Sequence, residues 1–146
     1  LLALGALIWD FYKWRYSERV RLKVFASGGY VTTANPNEEL INISITNIGK
    51  VGTTIQAIAL HGFNSKKEMK KRYGKDLAII PTPLFNTLPA RLEPGNQWNA
   101  CIKQNTPEIR GYLKFEHFII QVEDTISGTP FRAEIDKSII QKSPEK

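Results

Sequence analysis

The stretch ELINISITNIGKVGTTIQAIAL, Glu39 to Leu60, decides how the chain is read. Its first half alternates strictly, with Ile41, Ile43 and Ile45 on one side and Asn42, Ser44 and Thr46 on the other. A period of two puts the isoleucines on a buried sheet face and the amide and hydroxyls on the opposite face. Next comes Asn47-Ile48-Gly49-Lys50-Val51-Gly52, where Asn and Gly tolerate the positive φ that breaks a ladder. A second β-branched run, Thr53 to Leu60, follows at once. Two strands about a polar bend predict a central hairpin, the seed of an antiparallel sheet.

Upstream, Arg21 to Phe25 opens a first strand, and Gly28-Gly29 predicts a bulge before Tyr30 to Thr33. Asn35-Pro36-Asn37 reads as a turn. Downstream, alternation fails from His61 through Lys75, and Ile79-Ile80-Pro81-Thr82-Pro83 reads as an edge-like connection, since proline donates no ladder hydrogen bond. Glu93-Pro94-Gly95 is a tight turn, with Pro at its second position and Gly at its third. Trp98, Ala100 and Ile102 then alternate with Gln97, Asn99, Cys101 and Lys103. Thr106-Pro107-Glu108 is a helix start, predicting one or two turns to about Lys114. Phe118, Ile120 and Val122 mark the penultimate strand, Ser127-Gly128 a reversal, and Phe131, Ala133 and Ile135 the inward face of the last. Seven or so short strands with almost no helix predict an all-β fold, an antiparallel immunoglobulin-like β-sandwich over residues 20–140, followed by a polar tail, 141–146.

With 146 residues the chain fits one domain with a proper core. A single cysteine excludes an internal disulfide framework and any Cys-rich zinc site. The net charge of +6 is unevenly spread. Lys13, Arg15, Arg19, Arg21 and Lys23 outweigh Glu18, and Lys66, Lys67, Lys70, Lys71, Arg72 and Lys75 outweigh Glu68. The remainder is mildly acidic, which argues for local electrostatic contacts and against a nucleic-acid-coating protein.

The chain opens LLALGALIWDFYKWRYSERVR, without a methionine, and Leu1 to Trp9 is wholly apolar. Nine helical residues rise only about 14 Å against a bilayer core of about 30 Å, too little to span. Residues 1–19 are read as the last turns of a spanning helix that begins upstream. Trp9, Tyr12, Trp14 and Tyr16 are aromatics that collect at the water interface, and Lys13, Arg15 and Arg19 follow as at a cytoplasmic exit. The alternatives are a soluble helix packed on the domain and an amphipathic helix lying in the interface. A cleaved signal peptide fits poorly, because aromatics and arginines stand where its small-residue cleavage site belongs.

The segments INISITNIGKVGTTIQAIAL, LPARLEPGNQW and FIIQVEDTISGTPFRAEI, taken in order, resemble small bacterial and phage proteins in which a short transmembrane helix precedes an immunoglobulin-like domain. The matching blocks are Asn47-Ile48-Gly49, Thr54-Ile55, Leu92-Glu93-Pro94-Gly95 with Trp98 behind it, and Asp124 before Gly128. The resemblance runs from about Arg21 to Ile135 and implies a membrane-tethered accessory domain with no assigned activity and no catalytic residue to carry over.

Candidate chemistry is sparse. His61 and His117, with Asp124 or Glu116, would need to converge for acid–base or metal chemistry, and no HxH or HExxH spacing is present. They are read as surface or rim histidines. Cys101 lacks a reactive-cysteine motif and is read as a small filler. Gly28-Gly29 has neither the Lys-Ser/Thr nor the helix of a phosphate loop, and the sequon Asn42-Ile43-Ser44 lies in a strand. No catalytic residue, metal or cofactor is expected.

The run Lys66-Lys67-Glu68-Met69-Lys70-Lys71-Arg72-Tyr73-Gly74-Lys75 asks for more than a fold explanation. It suits anionic lipid or an acidic protein, less well a nucleic-acid phosphate run with Tyr73 as sole stacking ring, and also a solvated edge guard. The sequence thus predicts a non-enzymatic, single-pass module at the inner (cytoplasmic) membrane, its domain facing the cytoplasm. It would bind a protein partner through Lys66, Lys67, Lys70, Lys71, Arg72 and Tyr73, and touch the membrane through Trp9, Tyr12, Lys13, Trp14, Arg15 and Arg19. The alternative is a soluble sandwich binding carbohydrate or nucleic acid through the basic loop, with Tyr30, Tyr73, Tyr112 and Phe115 as candidate exposed aromatics.

Overall fold

A computed structural model describes residues 1–31, 39–70, 76–80, 83–104 and 106–140, without the side chains of 29–31, 76, 77 and 79. The Asn35-Pro36-Asn37 turn, Thr32-Thr33, Lys71 to Lys75, Pro81-Thr82 and the tail from Gln141 lie outside the described residues. Helix α1 (Leu2–Ser17) leads into β1 (Leu22–Val31), β2 (Glu39–Asn47) and β3 (Thr53–Phe63). Then come β4 (Asp76–Ile79), β5 (Ala90–Leu92), β6 (Gln97–Lys103), the short helix α2 (Pro107–Gly111), β7 (His117–Asp124) and β8 (Phe131–Glu134).

Two antiparallel sheets form. One has the order β1-β2-β6; the other runs β4-β3-β7-β8, with β5 also paired to β3. The described strands number eight, one of them the three-residue β5, against the seven or so expected. The predicted bulge is present in β1, where the register with β2 shifts between Ser27 and Tyr30.

The predicted central hairpin is not. Strand β2 pairs with β1 and β6, and β3 pairs with β4, β5 and β7, so residues 48–52 form an arch from one sheet to the other. The cause is Asn47, whose side chain is fully buried. Its Nδ2 donates to the Val51 carbonyl at 2.8 Å and the Leu92 carbonyl at 3.1 Å, and its Oδ1 accepts from the Gly49 N–H at 3.0 Å. One amide therefore satisfies backbone groups of the arch and of β5, which local strand pairing would have required elsewhere.

Ile41, Ile43 and Ile45 are wholly buried and face Phe118, Ile120 and Val122, also wholly buried, with Trp98 and Leu92 beside them. Each such side chain contributes about 1.5–3 kcal/mol of burial. A second bulge, between Ile55 and Ala57 against β7, changes the parity of β3. Ile55, Ile58 and Leu60 therefore all reach the core, and His61 and Phe63 turn to the outer face.

Thr106 Oγ1 accepts from the Ile109 N–H at 3.3 Å and Pro107 opens α2, as the helix-start signature predicts; a 3-10 turn continues through Lys114. This segment carries Tyr112 and Phe115 into the core, each 4% exposed. Tyr112 stacks on Phe118 at 4.9 Å and donates its hydroxyl to the Leu60 carbonyl at 3.2 Å. Phe115 lies over Gly62, where any β-carbon would stand 2.0 Å from the ring. The turn at Glu93 closes with Asn96 N–H on the Glu93 carbonyl at 3.0 Å, with Gly95 at φ +80°, as a Pro-Gly turn of type II requires.

The register defines two poles. Residues 18–21, the 48–52 arch, the 93–96 turn and the 125–130 loop gather where Leu22 meets Asn47 and Ile55 meets Asp124. The 64–70 turn and α2 gather at the other end, where Leu40 meets Lys103 and Phe63 meets His117. The ten steps of β3 separate the two by about 33 Å.

Candidate functional site

Helix α1 buries none of its sixteen residues. Trp9, Tyr12, Trp14 and Tyr16 are more than half exposed, as are Leu4, Leu7, Ile8 and Phe11. The apolar side chains are spread round the helix rather than confined to one face, so α1 is neither packed on the domain nor amphipathic, and both alternatives drawn from the sequence fall away. Lys13, Arg15 and Arg19 are exposed beside the aromatics. No described helix is long and apolar enough to cross a membrane; sixteen residues rise about 24 Å. The helix joins the domain through Ser17 to Arg21, with the Arg21 guanidinium 5.4 Å from the centre of the Tyr16 ring.

At the pole where α1 enters, Asp124 closes the 125–130 loop. Its carboxylate accepts from Thr53 Oγ1 at 2.6 Å and from the Ser127 N–H and hydroxyl at 3.1 Å each. Between this loop and residues 18–20 lies a cleft of about 550 Å³ lined by Glu18, Arg19, Val20 and residues 126–131.

The described part of the basic run, residues 66–70, stands at the far pole. Lys66, Lys67 and Lys70 are exposed; Lys71, Arg72 and Tyr73 lie outside the described residues. Its first half is a built turn. Ser65 Oγ accepts from the Glu68 N–H at 3.2 Å, and Glu68 Oε2 accepts from the Asn64 N–H at 3.1 Å. This is close to a capping box, and the Ser65-x-x-Glu68 spacing signalled it from within the lysine run. Arg132 of β8 donates to the Met69 carbonyl, takes Gln121 Oε1 at 2.8 Å, and lies 5.3 Å from the Phe63 ring centre. Burial lowers the pKa of its guanidinium from the usual value.

Of the two histidines read as surface or rim residues, His117 stands at the rim of its sheet and His61 does not. His61 is wholly buried and the His117 side chain is 12% exposed. His61 sits opposite Ile119 and Phe63 opposite His117, so the two histidines are diagonal cross-strand neighbours, at a typical spacing of about 7–8 Å. His117 Nδ1 contacts Glu134 Oε1 at 2.8 Å, with Glu116 Oε1 3.8 Å from Nε2. Burial, and then the nearby Arg132 charge, lower the His61 pKa below 6.5, against a smaller opposing pull from Glu123. Among the described residues no group of three or more His, Cys, Asp or Glu is placed to hold a metal ion. Cys101 is buried, and burial raises its thiol pKa, as suits a filler. Tyr112 and Phe115, candidate stacking rings for carbohydrate or nucleic acid, are core residues; Tyr73 and the Tyr30 side chain lie outside the described residues.

No protein-family model matches the chain, and neither does any curated protein sequence. Two solved structures are similar. One is a Bordetella pertussis protein given the name ApaA, at 14% identity over 82% of this chain and 92% of that one, with a TM-score of 0.39. The other is the X-ray structure of a structural-genomics target, at 17% identity over 80% and 82% of the two chains, with a TM-score of 0.32.

Proposed function

We propose that the protein is a non-enzymatic, membrane-tethered interaction module with an immunoglobulin-like domain. The strand order β1-β2-β6 against β4-β3-β7-β8 corresponds to A-B-E against C′-C-F-G of that architecture, and the arch at Asn47 to its sheet-crossing B–C connection. The tether rests on one observation: the first half of α1, Leu2 to Trp9, is apolar all round, and the helix buries nothing against the domain. A helix apolar all round belongs in a core or a bilayer, and so continuous an exposed apolar surface marks an interaction site.

In this reading α1 is the domain-side part of a single-pass anchor at the cytoplasmic face of the inner membrane. Trp9, Tyr12 and Trp14 lie at the headgroup level, with Lys13, Arg15 and Arg19 at its phosphates. The anchor raises the effective concentration of the domain toward membrane-bound partners. The exposed lysines of the 64–70 turn, held about 33 Å from the helix exit, offer positive charge to an acidic protein surface. With the domain upright on α1, the anionic lipid is out of their range, because that attraction fades within a Debye length of about 8–10 Å.

Co-flotation of the full chain with vesicles of mixed phosphatidylcholine and phosphatidylglycerol tests the tether. The protein should rise with the lipid and stay there in high salt, since the contact is apolar. Protein left at the bottom of the gradient would overturn the reading.

A further inference from the structure

The pole where α1 enters presents two isoleucines where turn chemistry favours Gly, Asn, Asp or Ser. Ile48, in the arch after β2, is 52% exposed, and Ile126, in the loop after β7, is 57% exposed. They come from the two different sheets and flank the helix exit. The Ile48 N–H donates to the Arg21 carbonyl at 2.9 Å, while Ile126 lines the cleft opposite Arg19 and Val20. Singly, exposed isoleucines need no explanation. Two at loop tips beside one exposed apolar helix form a tripod, with sheets packed about 10 Å apart setting its width.

The loops beneath them are rigid by construction, the first tied by Asn47 and the second by Asp124. The isoleucines are therefore held outward, unable to fold back into the core. Exposed Arg19, Arg21 and Lys50 surround them, and Arg91 at the same pole is already paired with Glu93 at 2.6 Å. Apolar tips ringed by basic side chains match the layering of an anionic bilayer interface, acyl boundary below and phosphates above.

Resting on the tether reading, we propose that this pole seats directly on the lipid surface. Ile48 and Ile126 insert into the headgroup–acyl boundary, so the sandwich stands upright and its basic turn points away from the membrane.

The test uses the full chain, with buried Cys101 replaced (Cys101→Ala) and a single environment-sensitive fluorophore placed through Ile48→Cys, Ile126→Cys or Lys66→Cys. Each labelled protein is reconstituted into the mixed vesicles with and without shallow spin-labelled lipid. Labels at positions 48 and 126 should shift to the blue and lose at least half their intensity to the spin label, and the label at 66 should do neither. Vesicle-bound protein with all three labels water-exposed would overturn the seating and leave the tether standing. Quenching at 66 would show a domain lying on its side and would also overturn it. Protein that fails to bind vesicles refutes both readings. Because a fluorophore can itself draw a loop to lipid, the unlabelled Ile48→Asp/Ile126→Asp variant is examined by hydrogen exchange on vesicles. It should lose the lipid-dependent protection of residues 48–52 and 125–130 that the parent shows; identical protection in the two would count against insertion.

Discussion

The two poles of the sandwich are built by opposite means. At the helix-entry pole, buried side chains of Asn47 and Asp124 reach into the loops and satisfy their backbone, so the loops are short and their apolar tips are held outward. At the far pole an exposed basic turn is fastened from outside, by Ser65 and Glu68 within it and by Arg132 from β8. The first pole thus takes its order from the core, the second from its surface. A pole anchored in the core tolerates an apolar, insertable surface; one fastened at the surface is free to carry charge.

The sharpest way to break this contrast is Asn47→Ala. The substitution strands the buried Leu92 carbonyl, together with the part-buried Val51 carbonyl and Gly49 N–H. An unsatisfied buried group costs about 1–3 kcal/mol when water cannot replace the partner, and with water reaching the two part-buried groups the expected loss is about 2–3 kcal/mol. Urea unfolding should show it as a lower midpoint at unchanged slope. A loss below about 1 kcal/mol would mean that the arch holds itself without the amide and that the two poles are not built differently.

A second, smaller effect separates the poles by pH. Burial near Arg132 lowers the His61 pKa in the fold, while the unfolded chain keeps the ordinary 6.5. Below 6.5 the unfolded state therefore binds more protons than the native state, and stability falls with decreasing pH. The stability that neutral His61 contributes is complete above 6.5 and is lost as pH drops through that value toward the lower folded pKa. The slope is at most about 1.4 kcal/mol per pH unit. Unfolding followed between about pH 7.5 and about pH 5.5 should show the decline, and His61→Gln should flatten it. An equal slope in parent and variant would assign the acid sensitivity elsewhere.

These side chains also mark where reading the sequence succeeded and where it stopped. Alternation in Ile41, Ile43 and Ile45, in Trp98, Ala100 and Ile102, and in Phe118, Ile120 and Val122 was enough to place one interior between two sheets, because burial obeys a period of two. The Pro-Gly turn and the Thr106 cap were legible for the same reason: each is local chemistry. The arch was not. Asn47-Ile48-Gly49 reads the same whether the chain folds back on its own sheet or crosses to the other, and only the long-range bond to Leu92 decides. His61 was misplaced because, although it turns to the outer face of its sheet, it is buried there beside Phe63 and near Arg132. Such cover of an outer face is long-range packing that alternation does not carry. Tyr112 and Phe115 sit in a segment too short to show a helical period. The basic run was visible as charge, but its distance from α1 depends on strand direction, which composition does not carry.

That distance yields the smallest predicted effect and the most discriminating one. Replacing Lys66, Lys67 and Lys70 together by alanine removes three exposed charges from the far pole. Their positions bear on no buried contact, so stability should move by less than about 0.5 kcal/mol for each substitution. Vesicle flotation should also stay unchanged, because about 33 Å of sandwich separates these lysines from the helix exit and screening erases their attraction to that bilayer. What should weaken is capture of an acidic protein surface, and its salt dependence should flatten as the charges disappear. A fall in flotation would bring the basic turn down to the lipid. The long axis of the domain would then lie along the membrane, and the two poles, however differently built, would share one surface.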